Sequence, residues 1–88
     1  MTFEQLSIFV AVAERQHLTK AAEALRLTPS AVSSAIKALE GFYNVQLFLR
    51  FGRGIELTEA GRVFLDEAKA VLSRAQSAAL VLSELGAM

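Results

Sequence analysis

The sequence predicts a mainly α-helical fold of winged helix-turn-helix architecture: a three-helix core with a small β-hairpin wing, followed by a long helix suited to dimerisation. Three observations predict it. Leu18 to Glu40, LTKAAEALRLTPSAVSSAIKALE, reads as two helices separated by a turn too tight to hold anything else. Val45 to Arg50 and Ile55 to Leu57 are short and extended in character, and Phe51-Gly52-Arg53-Gly54 between them is a turn with two glycines. From Phe64 onward, apolar residues recur at spacings that alternate between four and three. These readings divide the chain into residues 1–58, with the helix-turn-helix at about 18–40 and the wing at about 45–57, and a linker helix over 59–88.

Composition sets bounds on what such a fold can do. The 88 residues, 53% hydrophobic and 8% aromatic, can build one core, and its stability alone should be modest. Without cysteine there is neither a disulfide framework nor a thiolate metal site. Charged residues interrupt every apolar run before about 18 residues, so no signal peptide or membrane span is expected and the chain should be soluble. The net charge of zero argues at first against a nucleic-acid partner, yet the distribution is uneven. From Arg15 to Arg53 six cations (Arg15, Lys20, Arg26, Lys37, Arg50, Arg53) face two anions (Glu23, Glu40), a local balance of +4, while the flanking segments are each −2.

Taken in order, Thr2 and Gln5 form a capping box, and Leu6, Phe9, Val10 and Ala13 then repeat at helical spacing through about Arg15. Gln16 and His17 break the pattern. His17 is the only histidine, so with no cysteine a metal site is not expected and His17 reads as a surface loop residue; no cofactor is implied. The next helix is expected to open at Thr19, whose hydroxyl can accept from a free N–H one turn in, and its apolar face is Ala21, Ala22 and Leu25. Thr19 and Lys20 at this start are candidate DNA contacts. Thr28 as N-cap and Pro29 at the first helical position start the second helix of the motif, since a proline there loses no hydrogen bond and its φ is already helical.

Counting 100° per residue from Pro29, Val32, Ile36 and Leu39 share one face and Ser30, Ser33, Ser34 and Lys37 the opposite one, with Ala31, Ala35 and Ala38 on the flank. Such a helix can be held by the core while presenting hydroxyls and one ammonium to the major groove of DNA. A plainly solvated face would look the same, and these residues alone leave both readings open. The helix continues through Gly41, Phe42 and Tyr43 to Asn44, which tolerates a left-handed cap. On the wing, Arg50 and Arg53 are cations placed to meet phosphate or the minor groove if DNA is the partner, with surface solvation as the alternative. Thr58 and Glu59 start the last helix. Its seam, Phe64, Ala68, Val71, Ala75, Ala78, Leu82 and Leu85, spans three heptads, and a helix to Leu85 would be about 40 Å long. That is too long to bury against so small a domain, so its upper part is expected to find another chain.

Catalytic readings fail on context. Ser34-Ala35-Ile36-Lys37 matches S-x-x-K, but the accompanying motifs, oxyanion hole and larger scaffold are missing. No glycine-rich phosphate loop follows a strand, no carboxylate pair stands out, and no enzyme is expected.

The order of elements, with AAEAL at Ala21–Leu25, AVSSAIKALE at Ala31–Glu40, QLFLR at Gln46–Arg50 and RGIELTEAG at Arg53–Gly61, resembles the N-terminal DNA-binding domain of LysR-type transcriptional regulators over essentially the whole chain. The resemblance implies sequence-specific binding of double-stranded DNA at an inverted-repeat operator in the bacterial cytoplasm and nucleoid. It maps the base-reading helix onto Thr28 to Lys37, the wing contacts onto Arg50 and Arg53, and the dimerising linker helix onto Glu59 to Leu85. It further implies a homodimer, a tetramer in a longer protein, and a small-molecule effector bound only by a C-terminal domain that this sequence lacks, so the chain is expected to be a fragment. The chain departs from the family pattern at Pro29, where glutamine is usual, and at Ser34 and Ala35, where longer readers are frequent. Leu49, Phe51 and Asn44 replace an acidic residue, a small polar residue and a glycine. The rival from another class is a helical module that dimerises through its last helix and never touches DNA, favoured by the zero net charge and opposed by the paired wing arginines.

Overall fold

The computed structural model describes residues 1–52 and 54–88, in the order α1 (Phe3–Arg15), α2 (Leu18–Leu25), α3 (Pro29–Tyr43), β1 (Phe48–Phe51), β2 (Gly54–Leu57) and α4 (Glu59–Gly86). Arg53, expected on the wing, lies outside the described residues. The molecule measures 53 × 25 × 20 Å, the long axis reflecting α4.

Helix α1 starts with the expected capping box: Gln5 N donates to Thr2 Oγ1 and Thr2 N to Gln5 Oε1, both at 3.0 Å. It buries Leu6, Ile8, Phe9, Ala11, Val12 and Ala13 because it packs against α2, α3 and α4 at once. Helix α2 opens differently from the sequence reading. His17, not Thr19, is its N-cap, with Nδ1 accepting from Lys20 N at 3.1 Å. His17 is therefore a structural cap rather than a loop residue, and Thr19 lies inside the first turn. Ala21 and Ala22 are fully enclosed, so their lack of bulk lets α1 and α3 approach. Thr28 caps α3 through a 3.1 Å bond from Ala31 N, with Pro29 in the first turn as expected.

Three helices end on a non-glycine residue in the left-handed region: Gln16 at φ 51°, Arg26 at φ 58° and Asn44 at φ 53°. Asn44 suits that conformation, whereas Gln16 and Arg26 adopt it to redirect the chain within two residues of the next helix. At Arg26 the N–H of Leu27 reaches back to Ala22 O at 2.9 Å, closing the turn of the motif.

The wing is an antiparallel hairpin in which Phe48, Leu49, Arg50 and Phe51 oppose Leu57, Glu56, Ile55 and Gly54. Phe51 and Gly54, expected in the turn, are paired strand ends. Val45 to Leu47, expected to be extended, precede the strand and are held to the end of α3, with Val45 N donating to Glu40 O at 3.1 Å. Glu40 Oε2 accepts from Leu47 N at 2.7 Å and from Phe48 N at 3.3 Å. Hydrogen bonds to a charged acceptor contribute about 1.5–3 kcal/mol each, and here they tie the end of α3 to the start of the wing. Glu40→Ala is expected to destabilise the fold by about 2–3 kcal/mol in urea unfolding, and Glu40→Gln by less because it keeps an acceptor. Equal losses for the two variants would contradict this role.

Thr58 joins the wing to α4. Its hydroxyl accepts from Gly61 N at 2.9 Å and donates to Gln46 O at 2.6 Å, while its N–H donates to Leu47 O at 2.9 Å. Gly61 packs so closely here that a Cβ would overlap the Leu47 carbonyl oxygen and stand 2.8 Å from a Leu57 methyl.

The lower part of α4 belongs to the domain's own core. Phe64 packs its ring 4.9 Å from that of Phe9, and Ala68 is 0% exposed. Both were expected in the dimer seam. Ala68 is closed off within the single chain, and half-buried Phe64 leans on α1, which the α1–α4 packing and the Lys69 Nζ to Glu14 Oε2 ion pair at 3.5 Å hold in place. The residue of the next turn that meets the core is Leu72, not Val71. Val71, Leu80, Val81, Leu82 and Leu85 remain exposed along the free end.

Candidate nucleic-acid interface

Helix α3 is fixed by Val32, Ile36 and Leu39, all buried, so its opposite face is held outward without choice. Thr28, Pro29, Ser30, Ser34 and Lys37 are exposed on the surface it presents, and Ser33 is half-buried. Thr19 and Lys20 stand exposed in the first turn of α2. The sequence-predicted helix residues thus lie on the surface of the two motif helices.

The wing comes close to α3. Residues two apart on a strand share a face, and Phe48 is buried, so Arg50 is directed to the same side. Its guanidinium Nη2 donates to Ser33 Oγ at 2.9 Å. In the sequence Ser33 and Arg50 read as separate contacts, because nothing in the local pattern reports a pairing across seventeen positions. Ile36, Lys37, Glu40, Gln46 and Arg50 border a shallow groove between helix and hairpin. Gln46 was not singled out from sequence, and its exposure beside Lys37 and Arg50 makes it a further polar group of this surface. The carboxylate of Glu40 is engaged with backbone N–H groups, so the groove's one acid is held in the fold while Lys37 and Arg50 are exposed.

The sequence profile described as "Bacterial regulatory helix-turn-helix protein, lysR family" matches residues 3–62. The chain belongs to the LysR family. Among curated LysR-family relatives, it is 36% identical over 86 residues to the nitrogen assimilation regulatory protein nac of Escherichia coli K12 and 41% identical over 91 residues to the transcriptional regulator ClcR of Pseudomonas putida. Those matches take in 98% of this chain, which spans 28% and 31% of the two relatives' lengths. In solved structures, the fold superposes on the crystal structure of the CbnR DBD–DNA complex with a TM-score of 0.91 and 38% identity, covering 100% of both chains. The crystal structure of the BenM DBD with catB site 1 DNA gives a TM-score of 0.94 at 31% identity over 98% of this chain and 96% of that one. Four helices and a two-stranded hairpin are thus the LysR-family winged helix-turn-helix.

Proposed function

We propose that this chain is the DNA-binding part of a LysR-type transcriptional regulator, with α3 in the major groove and the wing on backbone or minor groove. The observation that carries the reading is the exposed polar face of α3 set beside Arg50, in a chain similar over its full length to structures described as DNA complexes. Thr19, Lys20 and Lys37 suit phosphate contacts, while Thr28, Pro29, Ser30 and Ser34 suit base edges. A serine hydroxyl pairs with donors or acceptors on several bases, so direct readout by this helix is soft and DNA shape carries part of the specificity.

The regulator acts as a homodimer in this reading. Val71, Ala75, Ala78, Leu82 and Leu85 form its seam, which follows the sequence repeat above the level where α4 leaves the core. Two-fold symmetry then calls for an inverted repeat with half-sites about one helical turn or a small multiple apart. No helix among the described residues is long and apolar enough to cross a membrane. In this reading the regulator meets its DNA in the bacterial cytoplasm. A module that never touches DNA is disfavoured by the likeness to two DNA complexes.

The test is a mobility shift with selected duplexes at low salt. Binding is expected to weaken steeply as salt rises, because each phosphate contact releases a counterion. An absence of binding to every duplex at low ionic strength would overturn the proposal.

A further inference from the structure

The bond from Arg50 Nη2 to Ser33 Oγ is the only hydrogen bond between two side chains among the described residues, and it links the wing to α3. It sets Ser33 apart from its neighbours. Ser30 and Ser34 are exposed, whereas Ser33 is half-buried and its oxygen accepts a charge-assisted bond. Arg50 is placed for this by the fold: opposite it on β2 stands Ile55, which is buried, so the arginine stem runs along the domain and its head meets α3. We propose that Ser33 is a positioning residue for Arg50: its hydroxyl holds the wing arginine at a fixed distance from α3, so that helix and wing meet DNA as one surface. This rests on the DNA-binding reading and changes what Ser33 does within it.

The physical gain is pre-organisation. A guanidinium on a freely rotating stem must be immobilised when it meets a phosphate, and one already held loses less freedom on binding. One donor is committed to Ser33, and the remaining N–H groups of the fork are free to reach a phosphate. Accepting from Arg50 sets the orientation of the Ser33 hydroxyl, and in this role the serine acts through the wing. Loss of its hydroxyl should therefore weaken binding to all sequences by the same factor, which is the signature of a backbone contact.

A double-mutant cycle tests this on the 88-residue chain, with affinities measured for one selected duplex and two unrelated ones across a range of salt. Ser33→Ala is expected to weaken binding about fivefold on each duplex. Arg50→Ala should weaken it about tenfold and lower the salt slope by about one. The double variant should match Arg50→Ala alone, and Ser33→Thr, which keeps the hydroxyl, should bind like the unmodified chain. Thermal melting should be little changed by Ser33→Ala, since the bond between the two side chains is open to solvent. Losses that multiply in the double variant, or a Ser33→Ala variant that reorders the three duplexes, would overturn the positioning role while leaving DNA binding intact. Failure of the unmodified chain to bind any duplex would instead overturn the DNA-binding reading, and this role with it.

Discussion

Replacing Val71 and Leu82 together by lysine is expected to give folded monomers that bind a full inverted repeat at least a hundredfold more weakly than the parent, while affinity for a single half-site changes little. Val71 is 42% exposed and Leu82 71% exposed in the single chain, so neither holds the domain together. In a symmetric dimer each would lie near its counterpart or the matching layer, and lysine there forces like charges into a desolvated contact. Linking two half-site contacts in one dimer multiplies affinity by about 10²–10⁴ through effective concentration alone, and monomers forfeit that factor. The seam has limited strength to resist the change, because Ala75 and Ala78 bury little area per layer. Sedimentation and far-UV circular dichroism separate dissociation from unfolding. An unaltered dimer, or undiminished binding to the repeat by a proven monomer, would remove α4 from the mechanism.

The largest effect on stability is expected at Phe9. Its ring is 0% exposed and lies 5.3 Å from the Phe48 ring and 4.9 Å from the Phe64 ring, so one side chain is shared by α1, the wing and α4. Phe9→Ala removes the ring and leaves a cavity between three elements that cannot all collapse into it, a loss of about 3–5 kcal/mol. Against the 5–15 kcal/mol typical of whole domains, a loss of about that size lowers the melting temperature by roughly 15 °C or more. Phe9→Leu should cost less, since it refills most of the space. A loss below about 1 kcal/mol for the alanine variant, measured by denaturant unfolding, would show that the aromatic cluster does not join the three elements.

The helices were legible in the sequence because their signals are local. Thr2 with Gln5, Thr28 with Pro29 and Thr58 with Glu59 each announce a start within a few residues, and all three act as caps in the structure. The first turn of α2 was missed because histidine is an uncommon N-cap and Thr19 offers a more usual hydroxyl two residues on. The wing's position was legible from its glycines, but its start was not: the chain entering β1 is held at Leu47 and Phe48 by the Glu40 carboxylate, seven residues back from Leu47. The seam of α4 departs from its heptad phase where it meets the core, since Leu72 and not Val71 continues the buried stripe. A heptad pattern reports that a stripe is covered, not by what: Ala68 is buried within the single chain, and Phe64 is partly covered by the Phe9 ring of α1. At the candidate site, the outward residues of α3 followed from periodicity, whereas the Ser33–Arg50 bond joins segments whose distance only the folded chain defines.

Thr58 makes the direction of α4, and with it the geometry of the proposed dimer, depend on one joint that is braced rather than loose. The residue that starts α4 is also bonded to the carbonyl groups of Gln46 and Leu47, so the direction of the helix is indexed to the base of the wing. A helix of 28 residues is a lever about 42 Å long. A tilt of about 10° at its root carries the tip by roughly 7 Å, about the rise of two base pairs along DNA. In a dimer joined near the tips of two such levers, the stiffness of a few bonds around Thr58 becomes the tolerance with which the protein can measure the spacing between half-sites.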